Sequence, residues 1–237
     1  MTGFVLVDKP PGPTSHDVVD AVRKVFGVRR VGHAGTLDPP ASGLLVVAVG
    51  PSTRLLSYVQ ELPKTYEATA QLGIRTTTLD ASGEEVSRSD VDVTVRALRE
   101  AASGFVGEIE QVPPVVSAVK IGGERAYRKA RRGEDVELAP RRVTVYSFDV
   151  PRSSADAFDA RIVCSSGTYV RSLIADVGDK LGCGAHVVHL RRIAIGHLSV
   201  VEAVALGDIG KVELIPADKV LAHLPRVEVD AAIAEQA

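Results

Sequence analysis

Between residues 64 and 74 the chain alternates without a slip. Tyr66, Ala68, Ala70, Leu72 and Ile74 face one way; Thr65, Glu67, Thr69, Gln71 and Gly73 face the other. A period of two puts successive side chains on opposite faces of a strand, so this run predicts a half-buried strand with one polar face. Residues 4–7, 44–49, 143–150, 157–164 and 185–195 also read as strands, and most are joined by short turns. Strands therefore outnumber helices. The expected class is α+β, a mixed, largely antiparallel central sheet flanked by helices, and not a doubly wound parallel fold.

The helices are fewer. Thr14 and Ser15 can cap a helix whose apolar stripe is Val18, Val19, Val22, Val25 and Phe26, ended by Gly27. Residues 54–61 suggest a short helix capped by Ser52 or Thr53, and 94–103 a longer one. The turn Ser165-Ser166-Gly167 leads into a helix with the stripe Val170, Leu173, Ile174, Val177 and Leu181. Residues 75–90 read as a polar loop and 124–132 as a basic helix. Short strands flank Pro113-Pro114, one near 117–120, and 198–206 suggest a short helix. There is no internal repeat.

With 237 residues, 45% of them hydrophobic, the chain can bury a full core as one large domain or two small ones. Cys164 and Cys183 form no CxxC pair, which disfavours zinc and redox motifs and fits a reducing cytoplasm. The first residues lack a basic leader and a long apolar core, and the apolar run 44–49 is too short to cross a bilayer. The expected location is cytoplasmic. The net charge is only −2, yet Arg128, Lys129, Arg131 and Arg132 crowd one stretch, and Arg141 with Arg142 and Arg191 with Arg192 make basic pairs. Such clusters suit a phosphate-binding face or a solvated helix surface.

GHAGTLDPPASGLL, residues 32–45, sets Asp38 in a glycine-rich loop. A residue before proline is driven to extended backbone, so Asp38 cannot continue a helix. Glycines 32, 35 and 43 permit tight turns and close approach to a ligand. The simple reading is an Asp-Pro turn bonding its own backbone. GHAGTLD lacks the lysine and spacing of a P-loop. His16, Asp17, His33 and Asp38 have no metal-ligand spacing, and no GxSxG elbow supports a serine nucleophile. Tyr66 reads by default as a core tyrosine. Arg171 falls off the apolar stripe of its helix, which suits a solvated arginine or one holding a carboxylate in a bidentate pair.

Taken together, DKPPGPTSHDVV, GHAGTLDPPASGLL, KTYEATAQLGIRTTTLDASGE, PPVVSAVKIGGERAYRKARRGE and SSGTYVRSLIADVGDKLGCGAHVVHLRR resemble, in that order, the tRNA pseudouridine synthase B family. The resemblance spans roughly residues 4–196. It implies the pseudouridine synthase fold and isomerisation of the uridine at position 55 in the T-arm loop of tRNA. It places Asp38 as the catalytic aspartate, Tyr66 as the tyrosine stacking on the base, and Arg171 as the aspartate's partner. Tyr169 matches the tyrosine just before that arginine, and Leu190 a leucine below the base. His33 matches a histidine that fills the gap left by the extruded nucleotide, and Lys9 and Pro10 a motif that buttresses the catalytic loop. Arg128 to Arg132, Arg141, Arg142, Arg191 and Arg192 are candidates for backbone contacts.

The implied chemistry suits these residue types. A base inside a stacked loop must be extruded before it can react. An ionised Asp38 then attacks C1′ or removes the 2′ proton, and the sequence does not choose between them. Tyr66 is the nearest candidate to take the C5 proton. Bonds made and broken balance, so neither cofactor nor metal is expected; the expected partner is the tRNA T-arm, and the expected state a monomer. With 4% aromatics and no tryptophan, shape and phosphates rather than broad stacking platforms would grip the RNA. Residues 1–206 are expected to form the catalytic domain. Residues 207–237 read as a connecting segment toward a C-terminal RNA-binding domain that is missing or truncated. An RNA chaperone without catalysis is the competing reading. A glycoside hydrolase would want two carboxylates flanking the bond.

Overall fold

The computed structural model describes residues 1–114, 117, 120–121, 124–125, 132 and 138–227. Its strands, in chain order, are β1 Gly3–Lys9, β2 Val31–His33, β3 Ser42–Val49, β4 Lys64–Leu72, β5 Ile74–Thr76, β6 Glu85–Arg88 and β7 Gly107–Gln111. They continue with β8 Lys120–Ile121, β9 Glu124–Arg125, β10 Arg141–Ser153, β11 Ala157–Cys164, β12 Ala185–Ile195, β13 Leu198–Ser199 and β14 Val204–Ala205. The described residues build a ten-stranded sheet in the order β14-β1-β3-β12-β4-β11-β10-β7, with β2 on β3 and β13 on β12. Among the described strands of this sheet, only the β1/β14 and β3/β12 pairs are parallel. The fold is α+β, with a largely antiparallel sheet.

The sheet has two halves of different character. In the first, β3 is buried almost throughout, the pattern of a strand covered on both faces. One face packs Phe4, Leu6, Leu44 and Val46 against Val59 and Val220. The other packs Val5, Val7, Leu45 and Val47 against Val18, Val19 and Val22 of the Ser15–Phe26 helix. In the second half, β4 buries its even positions. Ala68, Ala70 and Leu72 share a core with the Val95–Ser103 and Val170–Lys180 helices. Burying one such Leu or Val is worth about 1.5–3 kcal/mol.

The halves meet at a short seam, where Arg191 and Arg192 of β12 pair with Ser42 and Gly43 of β3. Gly43 has φ +104°, and a Cβ there would stand 2.2 Å from the Arg192 carbonyl oxygen. This glycine serves strand-to-strand approach rather than a ligand.

Several local expectations change. Gly73, at φ +81°, ends the alternating run, and Ile74 moves into a separate β5–β6 hairpin within what reads as a loop. The 54–61 helix starts earlier, as a 3-10 helix Gly50–Leu55 leading into Leu56–Gln60, and neither Ser52 nor Thr53 caps it. Val25, in the last turn of the Ser15–Phe26 helix, is exposed rather than part of the buried stripe. Residues 198–206 form short strands around a 3-10 turn, not a helix. Within 124–132, Glu124–Arg125 pair with Lys120–Ile121 as strands; residues 126–131, including Arg128, lie outside the described residues. The chain after 206 packs back on β1: Ile215 bridges Phe4, and Ile209 and Val220 are buried.

Candidate active site

Asp38 lies in the loop between β2 and β3, and the carbonyls of residues 35–39 in that loop are all tied down. Buried Ser15 clamps Leu37 from both sides, its Oγ accepting from Leu37 N at 2.8 Å and donating to Leu37 O at 3.0 Å. Gly12 N donates to Pro39 O at 2.8 Å. Lys9, fully buried, spends its ammonium protons on the carbonyls of Pro10, Pro13 and Pro39 at 2.9, 2.8 and 3.2 Å. Burial lowers that ammonium to about 8, with the Asp38 charge working against it. Arg192 reaches Gly35 O at 3.0 Å and Thr36 O at 3.4 Å. A loop fixed on so many sides holds its carboxylate in place before any ligand arrives.

Arg171 sits in the first turn of the Val170–Lys180 helix and is 4% exposed, so the solvated alternative fails. Its Nη2 lies 2.8 Å from Asp38 Oδ2. Its Nη1 donates to Thr78 O at 2.6 Å and lies 3.5 Å from Asp80 Oδ2. Asp80 is itself buried and accepts from Thr78 Oγ1 and the Ser82 amide at 2.7 and 3.0 Å. Leu79, between the two groups that Arg171 meets, adopts φ +62°. A left-handed non-glycine costs on the order of 1–3 kcal/mol and persists where its surroundings over-determine it.

Asp38 and Arg171 border a cavity of about 230 Å³ that Tyr66, Tyr169, Leu190 and Arg192 also line. That is room for several waters at ~30 Å³ each, enough to admit a single pyrimidine ring. Tyr66, on β4, packs partly buried against the core. Burial raises its phenol, and the Arg192 charge opposes that rise. Tyr169 precedes the helix and is held by Gln111 of β7, whose Oε1 accepts from Tyr169 N at 2.7 Å and whose Nε2 donates to its carbonyl at 3.0 Å. Lys64, also lining the cavity, donates to the carbonyls of Gln60 and Leu62.

Three-dimensional structure thus brings Asp38, Tyr66, Tyr169, Arg171 and Leu190 to one cavity. Lys9 stands behind the loop, and exposed Pro10 supplies one of its carbonyls. His33 ends β2 outside the cavity wall. Its Nδ1 is buried without a hydrogen-bond partner among the described residues, and burial lowers its imidazole. Arg141 and Arg142 are exposed at the start of β10, and Arg132 is exposed in a turn; none of the three lines the cavity. His16 is exposed, and Asp17 closes a capping box with Thr14. Among the described residues no group of three His, Cys, Asp or Glu side chains is arranged to hold a metal, and no helix is long and apolar enough to cross a membrane.

Sequence reasoning missed Asp80, Ser15 and Gln111 as site residues, and took Arg192 for a phosphate contact rather than part of the cavity wall. All four are polar side chains less than a tenth exposed. A run such as TTTLDASGE does carry a signal for Asp80, a lone carboxylate among small turn-forming residues.

Comparison with known proteins identifies the family. Residues 23–170 match the family model of the TruB family pseudouridylate synthase N-terminal domain, and 171–226 that of the tRNA pseudouridylate synthase B C-terminal domain. The tRNA pseudouridine synthase B of Thermobifida fusca is 51% identical over 216 residues, which are 87% of this chain and 74% of that protein. That of Arthrobacter sp. is also 51% identical, over 83% of this chain and 66% of its own length. Among solved structures, a Cbf5-Nop10-Gar1 complex contains a chain 33% identical with a TM-score of 0.70, over 88% of this chain and 54% of that one. An H/ACA RNP bound to a substrate RNA containing 2′-deoxyuridine contains one 29% identical with a TM-score of 0.71, over 94% and 62%. The chain thus spans little more than half of those two chains, and about two thirds to three quarters of these curated relatives. It belongs to the TruB family of pseudouridylate synthases.

Proposed function

We propose that the chain isomerises uridine to pseudouridine in tRNA, at position 55 of the T-arm loop, with Asp38 as the reacting carboxylate. The observation that carries the reading is the Asp38–Arg171 pair at 2.8 Å, set on the wall of a cavity of nucleobase size. A binding protein gains nothing from a half-buried carboxylate held against a sealed guanidinium. A glycosidase would need a second carboxylate across the bond; Asp80 stands on the same guanidinium but does not line the cavity.

In this mechanism the extruded nucleotide enters the cavity with its base on the Tyr66 ring and over Leu190. Asp38 attacks C1′ or removes the 2′ proton, and the N1–C1′ bond breaks. The base turns and C5 bonds to C1′ as Asp38 leaves C1′ or returns the 2′ proton; the C5 proton then passes, directly or through water, to the Tyr66 hydroxyl oxygen as that hydroxyl releases its own proton toward N1. Arg171 holds the carboxylate aimed. Lys9 and Pro10 brace the loop, and Tyr169 closes the wall nearest the helix. His33 fills the RNA stack after extrusion. Arg128, Arg132, Arg141 and Arg142 are the candidates to meet phosphates, which makes affinity fall with salt. The substrate is a tRNA, and the protein acts as a monomer in the cytoplasm.

The test is incubation with an unmodified tRNA transcript, followed by carbodiimide modification and primer extension. A stop in the T loop is expected. Its absence at high enzyme concentration defeats the reading.

A further inference from the structure

Three cations are sealed around the reacting loop: Lys9, Lys64 and Arg192 are 0%, 5% and 1% exposed. Among the described residues none of the three has a carboxylate within ion-pair distance, whereas Arg171 meets both Asp38 and Asp80. Taking a cation out of water without a counter-charge is costly. Lys9 lies behind the loop, but Lys64 and Arg192 line the cavity. The cavity wall therefore carries two cations, Lys64 and Arg192, that no carboxylate among the described residues pairs with.

Arg192 is the better placed of the two. It is the cross-strand partner of Tyr66 on β4 and of Gly43 on β3. Its guanidinium is pinned by the carbonyls of Leu44, Gly35 and Thr36 at 2.8, 3.0 and 3.4 Å. Those are neutral dipoles, which orient the fork without cancelling its charge. Its field reaches the cavity, where it opposes the effect of burial on the Tyr66 phenol. Lys64 points its ammonium toward the Gln60 and Leu62 carbonyls, and burial lowers it to about 8. A guanidinium keeps its charge throughout.

A fixed charge in a closed site acts on whatever negative charge develops there. Breaking the N1–C1′ bond sends its electron pair away with the base, so the detached uracil carries one negative charge spread over N1 and its flanking carbonyl. That charge is consumed when C5 bonds to C1′; C5 then loses its proton and N1 gains one, leaving no net change. We propose that Arg192 supplies the fixed positive charge that stabilises the detached uracil anion. This rests on the isomerase reading above.

Fluorine at C5 makes the departing base a more stable anion and leaves C5 no proton to lose. Single-turnover loss of the N-glycosidic bond is therefore compared for uridine and 5-fluorouridine in the same tRNA, using wild-type protein, Arg192→Gln and Arg192→Lys. Arg192→Gln is expected to slow the uridine substrate by about 10²-fold and the fluorinated one by about tenfold, with RNA affinity little changed. Arg192→Lys keeps a charge without the fork, and is expected to lose less on uridine with the same narrowing on fluorination. Thermal unfolding identifies a variant that does not fold, in which case Arg192→Lys alone decides. Equal losses on both substrates, or none on either, overturn the inference, because a merely structural role would not respond to the acidity of the base. If the wild-type protein reacts with neither RNA, the isomerase reading itself fails, and this inference with it.

Discussion

Asp38 and Arg171 meet at 2.8 Å although one comes from the loop before β3 and the other from the first turn of the Val170–Lys180 helix. The guanidinium then extends to Thr78 O and toward Asp80. Two loops and a helix are thereby fixed by one side chain with directional donors. Lysine offers a point charge on a flexible stem and cannot reproduce that fork. Arg171→Lys is expected to lower kcat by about 10²-fold with little change in KM. It should also cost about 1–3 kcal/mol of stability, since buried Asp80 loses part of its compensation. Steady-state kinetics and thermal unfolding read the two effects separately.

Tyr66 offers a ring face and a hydroxyl, and the two can be divided. Tyr66→Phe keeps the face and is expected to leave RNA affinity within about threefold while turnover falls by ~10²-fold or more. Tyr66→Ala removes the face too and should weaken binding further, by the ~1–3 kcal/mol of a base–aromatic stack. Equal turnover for Tyr66→Phe and wild type would remove the hydroxyl from the mechanism.

How much of this was legible in the sequence depends on what each residue answers to. The period-two run of β4 and the stripe of the Val170–Lys180 helix are local patterns, and both elements formed where the pattern placed them. Thr14 and Gly27 bounded the first helix as their capping chemistry requires. Asp38, Tyr66 and Arg171 became a constellation only through resemblance, because no local pattern reports contact between distant segments. Arg192 read only as half of a basic pair and Ser15 only as a helix cap, because each acts on carbonyls of the Asp38 loop that only folding brings close. Gly43 read as a ligand-approach glycine for the same reason.

That seam gives a stability test. Gly43 combines φ +104° with a backbone carbonyl 2.2 Å from where a Cβ would stand. Gly43→Ala therefore has to separate β3 from β12 or strain both. A loss of about 3 kcal/mol or more is expected in denaturant unfolding. A loss under ~1 kcal/mol would mean that the seam yields easily.

Asp176, in the Val170–Lys180 helix, is raised to about 6 by burial, with Asp179 adding to the rise. Between the ordinary carboxylate value and about 6 the folded state binds more protons than the unfolded one, so the stability contributed by this group falls as pH rises through that window. Asp176→Asn is thus expected to stabilise the protein by about 1–2 kcal/mol at pH 7.5. The advantage should shrink as pH falls and vanish below about 4. An advantage independent of pH would assign the effect to something other than the buried charge.

The central claim is that the Asp38 carboxylate starts a rearrangement that ends with loss of the C5 proton. Tritium release from tRNA carrying [5-³H]uridine reports that loss directly. Wild-type protein is expected to release the label of one uridine per tRNA, whereas Asp38→Asn should bind the same RNA about as tightly and release label at least ~10³-fold more slowly. Release by Asp38→Asn at the wild-type rate, or none by wild-type protein that binds the RNA, would contradict the account.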